Sequence, residues 1–298
     1  MKYTMQLPTD RVVHGQEFIS ATAITEMARV IEKAGFDATF VTEHPFPAEE
    51  WLVERGHHAL DPFTALSVAA AATSTLKLHT NILVLPYRNP FLLAKSIASL
   101  DAISNGRMIV GTAAGYLQGE FEALGINFSE RNQACDDALQ AMKAAWSGET
   151  VRYQGRGYNA AGNVMLPMPV QRPHPPIWIG GNSRAAIRRA ARFCQGWSPM
   201  PAGSDRSQYA RTAVIDSIET LAPRIQELKE LALEYGREDE LDVHFVPLSL
   251  VNNLGLNALQ EEVEALAEIG VTWLSLGVPA ESRAEFCDTV SALSEAIF

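Results

Sequence analysis

One histidine stands where it could move a proton. His44 directly follows a run of apolar and β-branched residues at 38–42, the pattern of a buried strand. Imidazole titrates near neutral pH, so a histidine at the end of a strand can take up or release a proton during a reaction. It can equally be a structural residue bonded to a backbone carbonyl, and its position leaves both readings open. Glu43 beside it is expected on the other side of the strand, as a structural hydrogen-bond acceptor.

A second candidate is a glycine-rich turn made of four residues, Gly180, Gly181, Asn182 and Ser183. It lies between an apolar stretch at 176–179 and a helix predicted from Arg184. Glycines let a ligand approach the backbone, and the free N–H groups at a helix start attract anions, so the turn could bind a phosphate. A plain tight turn is the alternative. Arg184 would help only if it folds back, and Arg188 and Arg189 are expected to be solvated.

The other candidates carry less chemistry. His57 and His58 have side chains that point apart and no third ligand at a metal-binding spacing, so no metal site is expected. His79 falls inside a predicted strand and could have its hydrogen bonds satisfied in the core. Trp51, in a long loop, suggests an apolar substrate surface, although aromatic loop residues commonly just pack the loop down. No G-x-S-x-G turn is present to expose a nucleophilic serine.

The elements that must position these residues are clearest between positions 76 and 125. Apolar runs at 76–85 and 108–112 predict two strands, and residues 90–104 predict a helix between them. Asn89 and Pro90 form a strong helix start, because Asn89 can accept from free N–H groups and proline needs no such partner. A strand, helix, strand unit of this length implies parallel strands. Ligands of parallel α/β folds bind where the strands end.

The same alternation runs along the whole chain and predicts an α/β fold, a (β/α)8 TIM barrel in a single domain spanning 1–298. The other predicted strands are 2–7, 38–42, 176–179, 196–198, 242–249 and 271–276. The other predicted helices are 18–34, 62–73, 129–146, 184–193, 207–235 with a kink or break at Pro223, one from Asn257 with a capping box to Gln260, and 282–297. Two insertions are expected, at 45–60 after strand two and at 148–175 between helix four and strand five; residues 151–160 could form a hairpin.

Composition limits the classes of partner. The 298 residues carry a formal net charge of −11, which argues against nucleic acid, since phosphate backbones are bound by clustered Lys and Arg. Three scattered cysteines are typical of a reducing compartment. The first residues show no signal-peptide core, and no apolar run is long enough for a membrane helix. We therefore expect a cytoplasmic protein that acts on a small molecule without a membrane partner.

Three separated blocks carry a family resemblance: EKAGFDATFVTEH at 32–44, the run at 76–125, and PVQRPHPPIWIGGNSRAAIRRAARFCQGW at 169–197. Together they resemble the luciferase-like monooxygenase superfamily of flavin- and deazaflavin-dependent oxidoreductases. The resemblance covers most of the chain and thins in the last hundred residues. It implies a (β/α)8 barrel with the cofactor ring at the C-terminal mouth and, as in many relatives, a homodimer.

The resemblance also implies roles for individual residues. His44 would contact the ring or the substrate as proton donor or acceptor, and Tyr116 is a second candidate for the proton. Tyr116 and Glu120 follow strand four, where relatives place groups that contact substrate or ring. The segment of Thr80, Asn81 and Ile82 matches one that supports the ring in relatives, with a cis peptide expected between Asn81 and Ile82. Residues 180–183 match the turn that binds the cofactor phosphate.

One departure bears on the cofactor. True luciferases carry an arginine for the flavin phosphate where this chain has Ala114, and Arg107 begins strand four at the opposite end, so it is expected to be structural. The sequences of these motifs most resemble those of the subgroup described as dependent on the deazaflavin coenzyme F420. That resemblance implies hydride transfer to a small organic substrate. The alternative is reduced FMN, which inserts one oxygen atom from O2 and requires a flavin reductase as partner. A non-catalytic flavin-binding protein and an unrelated phosphate-binding barrel enzyme are the further alternatives.

Overall fold

Eight parallel strands form a closed barrel in the computed structural model, which describes residues 1–54 and 56–298. The barrel strands are β1 (Lys2–Gln6), β2 (Ala38–Val41), β3 (Lys77–Val84), β4 (Met108–Ala113), β7 (Ile177–Gly180), β8 (Gly196–Ser198), β9 (Asp242–Phe245) and β10 (Trp273–Leu276). Each pairs with its neighbours in chain order, and β1 pairs with β10 from Lys2 opposite Trp273 to Met5 opposite Leu276. The predicted (β/α)8 barrel is confirmed.

Helices connect successive strands. They are α1 (Gln16–Ile19), α2 (Ala21–Lys33), α3 (Glu49–Glu54), α4 (Pro62–Ala72), α5 (Pro90–Ile103), α6 (Gln118–Ala123), α7 (Arg131–Ala145), α8 (Arg184–Phe193), α9 (Ser204–Ala210), α10 (Ile218–Glu234), α11 (Leu248–Val251), α12 (Leu256–Ile269) and α13 (Arg283–Ile297). Three 3-10 turns are also present, at Val12–His14, Leu85–Tyr87 and Phe128–Glu130. No helix among the described residues is both long and apolar enough to cross a membrane.

Both insertions contain secondary structure, and the one after β2 contributes His57 to the mouth of the barrel. The insertion after β2 was expected to be a loop but contains α3, whose Trp51 is buried. The insertion before β7 contains the predicted hairpin, with β5 (Val151–Gly155) antiparallel to β6 (Tyr158–Asn163). Ordered insertions of this kind can hold side chains over a site at the ends of the strands.

Two predicted helices are divided in the structure. The prediction of one helix over 18–34 is wrong, because Ser20 adopts an extended conformation and caps α2 by accepting from the Ala23 N–H. The predicted helix 207–235 is also divided, but at 211–217 and not at Pro223. Ser217 and Thr220 form a capping box that begins α10, and Pro223 lies within that helix. Local capping chemistry therefore decides both boundaries.

Two predictions near the C-terminal third are also wrong. The strand expected to reach residue 249 ends at Phe245, and α11 follows, with both oxygens of Glu262 accepting from the N–H groups of Leu248 and Ser249 at 2.7 Å. The capping box expected at Asn257 does not form. Gly255 precedes α12 instead, and Gln260 donates to the Ala296 carbonyl at 2.9 Å.

Arg107 closes the end of the barrel opposite the mouth, as the sequence predicts. Its guanidinium donates to the carbonyls of Ala70, Leu76 and Ser104 and to the Thr73 hydroxyl, at 2.7–2.9 Å. These four acceptors come from the ends of α4 and α5 and the start of β3. One side chain thus joins three elements of the barrel wall, and its role is structural.

The interior of the barrel contains two buried histidines, His79 on β3 and His244 on β9. His79 does not have its hydrogen bonds satisfied in the core, because neither ring nitrogen has a partner among the described residues. Its ring instead packs edge-on against Trp178 and His244, with centroids 4.9 Å apart in each pair. Gly111 makes room for it, since a Cβ there would lie 2.7 Å from Nε2 of His79.

These two histidines predict a loss of stability in mild acid. Burial lowers the pKa of His79 well below its usual value and that of His244 to about 3. Below pH of about 6.5 the unfolded chain therefore binds protons that the folded chain does not, so the free energy of unfolding falls as the pH drops from about 6.5 towards 4. Urea unfolding at pH 7.5, 6 and 5 measures this decrease.

The matched comparison separates the buried histidines from the carboxylates. The variant His244→Gln should show a shallower decrease between pH 6.5 and 5 than the unchanged protein, whereas His14→Gln, at the surface, should keep the full decrease. Equal pH dependence in His244→Gln and the unchanged protein would contradict the assignment.

Candidate active site

A cavity of about 480 Å³ opens at the end of the barrel where the strands reach their C-termini. Residues in the C-terminal parts of β3, β7 and β8 and just beyond β2 and β4 line it, among them His44, Asn81, Tyr116, Gly180 and Ser198. This is the end at which (β/α)8 enzymes carry their active sites. The structure therefore brings together residues that lie up to 209 positions apart in the sequence, from Thr42 to Val251.

His44 lies on the cavity wall against a buried carboxylate. Its Nδ1 is 3.4 Å from Oε2 of Glu120, and the Tyr87 hydroxyl donates to the same oxygen at 3.0 Å. The other oxygen of Glu120 accepts from the Phe46 N–H at 3.2 Å. A carboxylate beside Nδ1 favours the tautomer with its proton there, which leaves Nε2 as the reactive nitrogen.

Two aromatic side chains of the insertion after β2 pack around His44. The ring of Trp51 lies 4.3 Å from that of His44, and the ring of His57 meets it edge-on at 4.8 Å. Nε2 of His57 is 3.1 Å from the Thr42 hydroxyl. Burial, followed by the charges of His44 and Arg206, lowers the pKa of His57 to about 4, so this ring is neutral at physiological pH.

His57 is a site residue that sequence reasoning missed. It lines the cavity, although the sequence indicated only that it lacked metal-ligand partners. Within the described part of the chain, no three His, Cys, Asp or Glu side chains come together as a metal site would require. Its place in the same insertion as Trp51 was the one available signal.

The structure places Glu120 and Trp51 behind the wall, not in it. Neither is among the residues that line the cavity, and Glu120 is only 1% exposed. Both were expected to meet the substrate; the structure shows them packed against His44 instead. Glu43 is the structural acceptor that was predicted, since it accepts from the Val84 N–H at 2.8 Å and pairs with Arg88.

The segment around Asn81 shapes one wall. The peptide bond between Asn81 and Ile82 is cis, in agreement with the resemblance, and the pairing of β3 with β4 shifts between Thr80 and Leu83. Asn81 and Ile82 line the cavity. Thr80 does not: it is fully buried and donates to the Gly111 carbonyl at 2.9 Å, so it anchors the wall from behind.

The side chain of Ile82 reaches across the barrel to Gly180. A Cβ at Gly180 would lie 2.2 Å from Cδ1 of Ile82, so any larger residue would have to displace the end of the Ile82 side chain. Glycine at 180 therefore makes room for Ile82 at the cavity wall. The strand that carries the cis bond and the glycine turn are in this way parts of one surface.

The glycine turn leads directly into α8. Gly180, Gly181 and Ser183 line the cavity, and the Ser183 hydroxyl caps the helix by accepting from the Ala186 N–H at 3.2 Å. Asn182 is buried and absent from the lining. Its amide donates to the carbonyls of Met200 and Ala213 at 2.9 Å, so its role is to fix the turn. The turn has the geometry of an anion site at a helix start.

Four arginines line the same cavity: Arg131, Arg189, Arg206 and Arg211. Of these, the sequence singled out only Arg189. The expectation that Arg189 is solvated is wrong, because it is 6% exposed, pairs with Asp136 and donates to Asn132. Arg189 lies three residues after Ala186 in α8, so both residues lie on the helix face that lines the cavity. Arg184 does not fold back but pairs with Glu227 at 2.9 Å.

Two of these arginines converge on one aromatic ring near the glycine turn. The guanidinium carbons of Arg131 and Arg211 lie 4.0 and 5.0 Å from the ring centroid of Phe128. The Thr212 hydroxyl, next to Arg211, accepts from the Asn182 N–H at 3.0 Å, which joins this cluster to the turn. Burial, with the like charges of Arg211 and Arg189, lowers the pKa of Arg131. A bound anion would relieve this repulsion.

Two further polar pairs complete the cavity. The Ser198 hydroxyl and Nδ1 of His244 are 2.7 Å apart, and both residues line the cavity although they are almost completely buried. Tyr116 also lines it, with its ring 6.2 Å from that of Tyr209 on α9. Burial raises the pKa of Tyr116, so its phenol stays protonated and can donate a hydrogen bond.

Comparison with known proteins agrees with this geometry. A family model described as luciferase-like monooxygenase matches residues 1–251. The FMNH2-dependent dimethylsulfone monooxygenase of Pseudomonas putida is 32% identical over 170 residues, which are 56% of this chain and 45% of that protein.

Two solved structures share the fold over the whole chain. Monooxygenase RslO1 of Streptomyces bottropensis superposes with a TM-score of 0.79 at 22% identity, covering 100% of this chain and 98% of that one. An F420-dependent secondary alcohol dehydrogenase superposes with a TM-score of 0.77 at 16% identity, covering 100% and 99%.

The chain belongs to the luciferase-like monooxygenase family, and it is an enzyme of the flavin- or deazaflavin-dependent oxidoreductases. The structure weakens one sequence argument within that family. Ala114 lacks the arginine of true luciferases, but Arg131 and Arg211 bring guanidinium groups to the same cavity from α7 and from the residue after α9. The missing arginine therefore no longer argues against FMN.

The contact between Ile82 and Gly180 generates a stability prediction. The variant Gly180→Ala should lower the free energy of unfolding by about 1–3 kcal/mol, because the added methyl group overpacks the space that Cδ1 of Ile82 occupies. Gly203→Ala is the matched control, since a Cβ there meets nothing within 4 Å and its φ is −69°. Urea unfolding at pH 7.5 measures both, and equal stability of the two variants would refute the packing constraint.

Proposed function

We propose that the enzyme transfers hydride between a deazaflavin cofactor and a small organic substrate, with His44 moving the accompanying proton. The contact of His44 with the buried Glu120 carries the proposal, because it provides a proton-handling group on the cavity wall with its second nitrogen available. A reduced deazaflavin supplies hydride chemistry when bound, and the protein binds, orients and protonates.

The residues of the cavity fit a ring that carries a phosphate. The N–H groups at the start of α8 would take the phosphate, together with Arg131 and Arg211, because the N–H of Gly181 already donates to the Ser198 carbonyl. The wall formed by Asn81 and Ile82 would hold the ring. The fit rests on an anion site whose two arginines have no carboxylate within ion-pair distance among the described residues.

Two side chains, His44 and Tyr116, would handle the proton of the reaction. Glu120 holds the Nδ1 proton of His44, so Nε2 of His44 gives or takes the proton at the substrate atom that changes. The Tyr116 phenol, kept protonated by burial, is placed to donate a hydrogen bond to the same substrate. Tyr87 fixes Glu120 by its own hydrogen bond and so acts as a positioning residue.

A second candidate is an FMNH2-dependent monooxygenase, and the arginine cluster favours it. Arg131 and Arg211 supply the positive charge that a phosphate dianion requires and that Ala114 does not. The similarity to the dimethylsulfone monooxygenase points the same way. A flavin reductase would then supply the reduced cofactor. Assembly as a homodimer remains a prediction from the resemblance.

The cofactor is tested by titrating the protein with FMN, riboflavin and coenzyme F420. We expect F420 or FMN to bind at micromolar concentration and FMN to bind at least tenfold more tightly than riboflavin, which lacks the phosphate. Arg131→Gln should reduce FMN affinity to that of riboflavin and leave riboflavin unchanged, whereas the surface variant Arg184→Gln should alter neither. Absence of binding by both FMN and F420 would refute the proposal.

The role of His44 is tested in a turnover assay, in which oxidation of reduced F420 is followed in the presence of a panel of small ketones and aldehydes. His44→Gln should lower kcat by about 100-fold or more while the cofactor dissociation constant stays unchanged. Glu120→Gln should lower kcat less and displace its pH profile, because it changes the environment of His44. His58→Gln is the control at an exposed position, and full activity in His44→Gln would remove His44 from the mechanism.

A further inference from the structure

The cavity is positively charged in a chain whose formal net charge is −11. Four arginines line it, and Glu43 is the one carboxylate among the described lining residues. Glu43 is already neutralised, because it pairs with Arg88 and accepts from the Val84 N–H. A cavity of this kind concentrates anions and disfavours cations.

Three of the four arginines are accounted for. Arg189 pairs with Asp136. Arg131 and Arg211 meet at Phe128 beside the glycine turn, where their charges would be offset by the phosphate of the cofactor, a monoanion in F420 and a dianion in FMN. Once a cofactor phosphate is bound there, the positive charge at this end of the cavity is reduced. Arg206 is exposed to solvent where it lines the cavity, and its charge has no carboxylate partner among the described residues.

Arg206 lies at the other, reactive end. It is on α9, and its positive charge acts on Tyr116 and on His57, whose ring contacts that of His44. No carboxylate lies within ion-pair distance of its guanidinium among the described residues. The nearby acids Glu54 and Asp205 line a separate surface hollow instead.

We propose that Arg206 binds an anionic group of the substrate, which makes the substrate a small organic acid such as a carboxylate or a sulfonate. This inference rests on the proposed function, since it assumes that a cofactor phosphate occupies the glycine turn. A planar guanidinium binds carboxylate or sulfonate oxygens through two parallel hydrogen bonds. Held in this way, the acid group would fix the rest of the substrate beside His44 and Tyr116.

His57 complements this arrangement. It lines the cavity between His44 and the charge of Arg206, and it stays neutral at physiological pH. A neutral imidazole whose Nε2 faces the Thr42 hydroxyl does not compete with Arg206 for the anion. The positive charge at the reactive end is therefore concentrated on Arg206 and, when protonated, His44.

The test uses the cofactor-loaded protein and three probes of similar shape: benzoate, benzenesulfonate and benzamide. Calorimetric titration should give the two anions at least tenfold tighter binding than the neutral amide. Arg206→Gln should weaken both anions about tenfold or more and leave benzamide and cofactor affinity unchanged. Arg206→Lys should keep most of the anion preference, and Arg184→Gln, whose side chain pairs with Glu227 outside the cavity, should behave like the unchanged protein.

The outcomes separate this inference from the proposed function. If the unchanged protein binds neither FMN nor F420, the proposed function fails, and the inference fails with it. If a cofactor binds but benzoate binds no better than benzamide, only the inference is overturned. It is also overturned if Arg206→Gln leaves anion affinity unchanged or weakens benzamide by the same factor.

Discussion

Closure of the barrel is the constraint on which the site depends. Pairing of the first strand with the last, from Lys2 opposite Trp273, brings the C-terminal ends of all eight strands to one mouth. Side chains that follow different strands, such as His44, Tyr116 and Ser198, can then face one volume. These three residues are far apart in the sequence, so only the closed barrel brings them to the same cavity. A slip of one residue in this pairing would turn every side chain of a strand to the opposite face and disperse the site.

Two buried carboxylates near the mouth have different functions because different groups contact them. Glu43 is bound to Arg88 and to a backbone N–H, so it ties β2 to the turn after β3. Glu120 faces His44 and Tyr87, so its charge acts on the one imidazole that can exchange a proton with the cavity. Glu43 is neutralised by Arg88 and does not offset the arginines of the cavity, whereas the charge of Glu120 still acts on His57 and Tyr116 from behind the wall. The pairing of Glu43 with Arg88 therefore contributes to the positive potential there.

The sequence predicts features that depend on a short stretch of the chain and misses features that depend on contacts between distant segments. The strand alternation, the position of His44 and the turn that begins with Gly180 follow from periodicity, turn chemistry and family resemblance, all read over short stretches. Arg189 was missed because its partner Asp136 lies on α7, far away in the sequence. His57 was missed because only the fold of the insertion after β2 brings its ring against that of His44. Boundaries such as the break before Ser217 depend on capping groups that compete with helix periodicity. Burial of His79 without a partner follows from packing around Gly111 and has no sequence signal.

The contrast between the acidic molecule and its basic cavity has a kinetic consequence. At long range an approaching anion meets the repulsive field of a body with a formal net charge of −11, and it meets the attraction of the arginines only near the mouth. Salt at 0.1 M confines electrostatic fields to about 10 Å, so it screens the long-range repulsion more than the attraction at contact. The association rate of an anionic ligand is therefore expected to rise with moderate ionic strength, the reverse of the behaviour of an enzyme that steers its ligand by overall charge.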